Sequence, residues 1–156
     1  MTSPLPTPEL RFFADLRVQV DKPQEVGHSV RGLRRVIPIL GGTVTTADWS
    51  GRILPGGADF QLILNDRTAE LDARYVIETD GGDRIYVYNQ AVRTAAPEVM
   101  ARLVRGEPVD PASVYFRCMP RFEASAPSLA WLSENLFLGT GARLPDRVDL
   151  RVFHVA

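Results

Sequence analysis

Apolar and polar residues alternate along most of this chain, with the period of a strand. Phe12, Ala14, Leu16, Val18 and Val20 alternate with Arg11, Asp15, Arg17 and Gln19. This predicts a half-buried strand over 10–20, ended by Pro23. A second strand spans 32–46 and is interrupted by Gly41-Gly42, a pair suited to a bulge or sharp coil. Further strands are expected at 57–65, 70–79, 84–90, 115–125 and 147–155. Asp66-Arg67 and the run Asp80-Gly81-Gly82-Asp83 read as hairpin turns between alternating segments. One helix is expected from Pro97, a good first helical residue, to a C-terminal stop at Gly106, with Val99, Met100, Leu103 and Val104 as its apolar stripe. Ser128 is placed to cap a second, short turn holding Trp131 and Leu132, and residues 109–113 read as a loop. About seven to nine hairpin-linked strands without strand–helix–strand alternation predict a mainly β fold, a single antiparallel β-barrel with one or two short helices. Residues 10–156 form that one domain, and the proline-rich residues 1–9 form a loose arm ahead of it.

The turns carry a register. With Asp66 and Arg67 as a two-residue loop, Gln61 opposes Asp72 and Asp59 opposes Arg74, directly opposed residues lying about 5 Å apart at Cβ. One face then gathers Asp59, Gln61, Asp72, Arg74 and Asn89 with Ile63, Val76 and Val87. The other gathers Phe60, Leu62, Leu64, Leu71, Ala73, Tyr75, Ile77, Tyr86 and Tyr88. The mixed face either meets water, where Asp59 and Arg74 form a weak surface pair, or lines a partly dry cavity, where the pair orients a substrate group.

Composition narrows the function classes. The chain has 156 residues, a net charge of -1 and a pI near 6.1, which removes the basic excess that phosphate or anionic-lipid binding needs. Neither a nucleic-acid nor a membrane partner is expected. Lys22 is the only lysine, so cation chemistry falls to arginine, whose forked guanidinium suits anions. Arg34-Arg35 accordingly either covers a strand edge or binds an anionic ligand. Cys118 is the only cysteine; without a disulfide partner it reads as a buried small hydrophobe in a reducing, cytoplasmic setting. His28 and His154 lie in no ligand-spaced cluster. No nucleophile elbow or phosphate-binding glycine loop is present.

The ordered motifs Gly32-Leu-Arg-Arg-Val-Ile-Pro-Ile-Leu-Gly-Gly-Thr43, Leu54-Pro-Gly-Gly-Ala-Asp-Phe-Gln61, Leu71-Asp-Ala-Arg-Tyr75, Asp80-Gly81, Tyr115-Phe-Arg117, Phe122-Glu123 and Ala130-Trp-Leu132 resemble the bacterial "domain of unknown function three-two-three-seven" family. The resemblance runs from about residue 10 to the C-terminus. It implies a lipocalin-like, calycin-type barrel without metal or organic cofactor, and it puts Asp59, Gln61, Arg74, Tyr75 and Glu123 on the family's typical positions. The chain departs from the family at Arg67, where glycine is usual in the turn, and at Ala91, where glycine is also typical.

Proton transfer without a cofactor is the chemistry these residues can support. The candidate catalytic residues are Asp59 as base, Arg74 as oxyanion holder and Glu123 as a second acid or base. The candidate substrate contacts are Gln61, Asn89, Tyr75, Arg35 and Trp131. The expected function is an isomerase, hydratase, lyase or cyclase acting on a carbonyl-containing small molecule. The alternatives are a non-catalytic ligand carrier and a homodimeric structural module joined through Tyr75, Tyr86 and Tyr88.

Overall fold

The computed structural model describes residues 4–156, so the N-terminal part of the expected arm, residues 1–3, lies outside the described residues. Ten strands follow one another: β1 (Leu10–Val20), β2 (Gln24–Ser29), β3 (Gly32–Thr46), β4 (Ser50–Ile53), β5 (Ala58–Ile63), β6 (Thr68–Thr79), β7 (Arg84–Ala95), β8 (Val114–Ala124), β9 (Leu136–Arg143) and β10 (Arg147–Val155). The helix α1 (Pro97–Val104) sits between β7 and β8, and short 3-10 segments cover Pro111–Ser113 and Pro127–Glu134.

The sheet closes on itself. Its hydrogen-bonded order runs from β1 through β10, β9, β8, β7 and β6, reaches β3 by way of β4 and β5, and returns to β1. Strands β4 and β5 both lie between β3 and β6, so together they form one interrupted stave. The result is an eight-stave closed antiparallel barrel, the architecture the alternation predicts. Closure leaves only short edges to protect, and β2 extends past the rim as a hairpin with β3.

Two glycines make the closure possible. Gly42 has φ +146°, and a Cβ there would lie 2.0 Å from the Arg17 carbonyl oxygen. β3 passes β1 at that point, beside the register shift at Gln19/Val20. Gly57 precedes β5, and a Cβ there would lie 2.3 Å from the Arg74 carbonyl oxygen and 2.7 Å from Tyr75 Cβ. Gly57→Ala therefore forces β5 away from β6 and is expected to cost about 1–3 kcal/mol as an overpacking change. Thermal unfolding checks this, and an unchanged midpoint would contradict the close approach.

Aromatic rings fill one end of the barrel. A bulge between Phe12 and Ala14 turns Phe13 inward, where it meets Phe137 at 4.9 Å and Phe122 and Trp131 at 5.6 Å between centroids. The other end is covered by α1, whose Met100 and Leu103 pack with Ala95 in a small satellite cluster. Proline at its start and Gly106 at φ +77° after its end match the sequence expectation. Ser128 is not a cap: the 3-10 turn begins at Pro127 behind Ala126, with no side-chain capping bond. The 109–113 loop contains a 3-10 turn, which the Asp110 side chain caps by accepting from Ala112 N–H.

Candidate functional site

The register of β5, β6 and β7 decides which side chains enter the barrel, and it differs from the sequence expectation. Asp59 pairs with Ala73, and Ala58 pairs with Arg74. The β5–β6 connection is a three-residue loop, Asn65 to Arg67, closed by Leu64 N–H donating to the Thr68 carbonyl. The Asn65 carboxamide oxygen accepts from the N–H groups of Arg67 and Thr68, so the turn is built by an asparagine side chain and Arg67 needs no positive φ. One added loop residue sends every β6 side chain to the opposite face. The β6–β7 loop is one residue shorter than expected, with Thr79 N–H bonded to the Asp83 carbonyl. The two slips cancel across β6. Asp59, Gln61, Ile63, Val87 and Asn89 keep a common inner face, while β6 contributes Leu71, Ala73 and Tyr75 to it.

The Asp59–Arg74 pair is therefore corrected. Arg74 points outward, bonds Asp72 at 3.3 Å and stacks over Tyr88 at 4.5 Å. Glu123 is also on the outer surface, opposite Tyr86 in register. Arg74, Tyr86 and Glu123 share an exterior groove with Gly56 and Arg84, apart from Asp59. The proposed tyrosine face separates as well, because Tyr75 is inside while Tyr86 and Tyr88 are outside. Trp131 belongs to the aromatic end, 5.7 Å from the His154 ring. The His154 ring nitrogen Nε2 is 2.8 Å from the Asn135 side-chain oxygen, a structural arrangement.

What the inner face builds is a cavity between the aromatic end and α1. Its lining includes Asp59, Gln61, Tyr75, Asn89, Arg93 and Arg143 among Val18, Ile37, Leu71, Phe116 and Leu150. The space measures about 540 Å³ with its open mouth, of which a water molecule's centre can occupy about 40 Å³. Small residues make the room, with Ala73 and Ala91 on the walls of β6 and β7.

Asp59 is held by its neighbours. Gln61 Nε2 donates to one carboxyl oxygen at 2.9 Å, and Asp72 N–H donates to the other at 3.2 Å. The β5–β6 ladder is open between the pairs Asp59–Ala73 and Leu62–Glu70, and the carboxylate takes the N–H freed there. Burial pushes the Asp59 carboxyl above its ordinary value; the Gln61 bond, the charge of Arg93, the Asp72 N–H and the charge of Arg143 pull it back without cancelling the shift. Arg93, only 2% exposed, is brought down to about 10 by burial, against the attraction of Asp59. It remains charged at neutral pH. Burial also raises the Tyr75 hydroxyl and lifts Cys118 to about 11, so both are neutral and Cys118 is a packed thiol.

Four buried polar atoms on the cavity residues lack a partner among the described residues: Gln61 Oε1, Tyr75 Oη, Asn89 Oδ1 and Arg93 Nε. Orphaned buried groups are rare in proteins, and here all four belong to one wall. Arg35 is 4% exposed and opposes Gln61 in register on the same inner face, but it is turned to other partners, donating to Glu25 at 2.9 Å and to the Val104 carbonyl at 3.2 Å. It ties the β2–β3 hairpin to α1. Arg93 and Arg143 are functional candidates the sequence reading lacks. Arg93 continues the inward alternation Ile85, Val87, Asn89, Ala91, which signals it; Arg143 ends a strand, Leu136–Arg143, whose glycines hide the pattern.

A family model described as "Protein of unknown function (DUF3237)" matches residues 8–155. The chain belongs to this family. A protein of Rhodopseudomonas palustris is 43% identical over 150 residues, covering 96% of this chain and 98% of that one. The crystal structure of the conserved protein of unknown function from that organism superposes with a TM-score of 0.91, covering 97% of this chain and 99% of that one. A structure from Clostridium acetobutylicum of unknown function, 34% identical, covers 97% of this chain and 99% of that one with a TM-score of 0.90. A β-barrel-like protein from Acinetobacter baumannii, also 34% identical, covers 99% and 100% with a TM-score of 0.87. An enzyme from Penicillium herquei shares the fold at 18% identity and a TM-score of 0.73, over 100% of both chains. Among the described residues, no helix is long and apolar enough to cross a membrane.

Proposed function

We propose that this barrel is an enzyme of cofactor-independent acid/base chemistry on a carbonyl-containing small molecule, with Asp59 as general base. The observation that carries the reading is one cavity wall on which a carboxyl held above its ordinary value sits beside unpartnered donors and acceptors. A base works best when its proton affinity approaches the working pH, and burial shifts Asp59 in that direction. Each Asp59 oxygen accepts one hydrogen bond and keeps a lone pair for the incoming proton.

In the proposed step Asp59 takes a proton from the carbon beside the carbonyl. The C–H electron pair moves toward the carbonyl carbon and the C=O pair moves onto oxygen. Tyr75 O–H and Arg93 Nε–H are the donors that stabilise the resulting oxyanion, a role Arg74 cannot fill from outside. Gln61 and Asn89 accept from ligand O–H or N–H groups. Return of the proton to another carbon gives isomerisation, and loss of a leaving group gives elimination.

The test is α-proton exchange in deuterium oxide, followed by NMR, for a set of 2-oxo acids, cyclohexenones and aryl ketones. The wild type is expected to exchange at least one of them faster than buffer, and Asp59→Asn is expected not to. No acceleration by the wild type, or equal acceleration by the variant, would sink the assignment. The apolar wall of Val18, Ile37, Leu71, Phe116 and Leu150 also suits a carrier without chemistry. A carrier binds these ligands with no exchange and tolerates Asp59→Asn.

A further inference from the structure

We infer that the ligand of this cavity is an organic anion, an apolar body carrying one carboxylate, and that Arg93 and Arg143 hold the carboxylate. The inference deepens the proposed function, since it concerns the same cavity, but it does not depend on Asp59 acting as a base.

On the surface, Arg11, Arg52, Arg74, Arg84, Arg105, Arg147 and Arg151 each bond a nearby carboxylate. A surface arginine without such a partner is hydrated. Arg93 has neither solution. It is 2% exposed, and among the described residues no ion pair reaches it and its buried Nε has no partner. Arg143 is half-buried and among the described residues reaches only the Arg147 carbonyl, at a long 3.5 Å. Burial lowers both guanidinium groups, and repulsion by Arg35 lowers each further.

The acids near them do not pair with them: Asp59 attracts both only through space, with no ion pair among the described residues. Both Asp59 oxygens accept from Gln61 and Asp72. Glu25 is bonded to Arg35. Asp146 attracts Arg143 through space from an exposed turn, without an ion pair. A buried charge left unpaired is strongly unfavourable, and a forked guanidinium matches a carboxylate through two parallel N–H···O bonds. The free charge inside this barrel is positive, and the space beside it is lined by Val18, Val20, Ile37, Ile39, Val148 and Leu150. A carboxylate on an apolar body satisfies both requirements. A neutral ketone satisfies only the second.

Isothermal titration with hexanoate and benzoate, their neutral amides and inorganic phosphate tests this on the wild type, Arg93→Met and Arg143→Gln. Arg143 is at the half-buried rim, so its variant keeps the test valid if Arg93→Met fails to fold. At least one carboxylate is expected to bind the wild type on the order of 30-fold or more tightly than its amide, and each folded variant is expected to lose a similar factor. Equal binding of acid and amide, wild-type binding by Arg143→Gln, or no binding of either acid would overturn the inference. Binding of phosphate in place of both carboxylates would overturn the carboxylate class. Acid binding that survives in Asp59→Asn without exchange activity supports the inference whatever the fate of the proposed reaction. Exchange on neutral ketones with no acid binding overturns the inference alone.

Discussion

Asp59→Asn is expected to lower catalysed proton exchange by about 10²–10⁴-fold, the usual contribution of a general base, and to leave a protein at least as stable as the wild type at neutral pH. The second half follows from the direction of the carboxyl shift. Ionising Asp59 inside the barrel is disfavoured by burial even with the attraction of Arg93 and Arg143 counted. A carboxyl raised in the folded state supports folding fully below its unfolded value, and that support is lost as pH rises through its folded value. Asparagine is neutral throughout. It keeps the Asp72 N–H on its oxygen, and its NH₂ faces Gln61, whose amide turns over to present the oxygen that is now unpartnered. The two melting curves should therefore coincide in acid and separate toward neutral pH, with the variant higher by about 2–4 °C for each kcal/mol gained. Such an exchange of stability for activity is common at functional sites. A variant clearly less stable than the wild type at neutral pH would make Asp59 a structural residue.

Phe137→Ala is expected to cost about 3–5 kcal/mol, as large-to-small changes in aromatic cores do, and to lower the melting temperature by about 6–20 °C. Phe137 is 2% exposed. Its ring lies 4.9 Å from Phe13, 5.0 Å from Phe122, 5.8 Å from Trp131 and 5.7 Å from His154. With Phe13 it is one of the two rings that link the cluster filling one barrel end and confining the cavity to the other. Trp131 is 38% exposed at the edge of the same cluster, so Trp131→Ala should cost less. Differential scanning calorimetry of the two variants checks the order; equal small losses would mean the plug is not packed as described.

Most of the barrel is legible in the chain because a closed antiparallel sheet writes its inside and outside as alternation. The strands at 10–20, 32–46 and 147–155 show it plainly. Less visible are Gln24–Ser29 and Ser50–Ile53, which are short, and Leu136–Arg143, where Gly139 and Gly141 occupy inward positions. Gly141 leaves space that the Phe116 ring fills, since a Cβ there would lie 2.8 Å from that ring. No pattern of hydrophobicity announces a glycine whose role is to admit a neighbour.

The candidate site was legible in its carboxylate and amides and not in its cations. Asp59, Gln61 and Asn89 share a face because two loop-length slips of one residue compensate across β6. Arg74 sits on β6 itself, where nothing compensates, and so lies outside. A loop closed by an Asn65 side chain looks like a two-residue turn in sequence, and only the hydrogen bonds distinguish them. The cation role passes to Arg93, four residues beyond Asn89 on the same inward alternation, and to Arg143, which reaches the cavity from across the barrel.

The most direct test of the account is the titration of the Asp59 carboxyl, followed by carbon-detected NMR on labelled protein and assigned by the signal missing from Asp59→Asn. The expected midpoint lies clearly above the ordinary aspartate value of about 3.9 and falls when Gln61 is kept and the cavity is opened to water by substitution at its apolar wall. A midpoint at or below the ordinary value would show a carboxylate stabilised as an ion by its arginines, and would contradict its role as the base of this site.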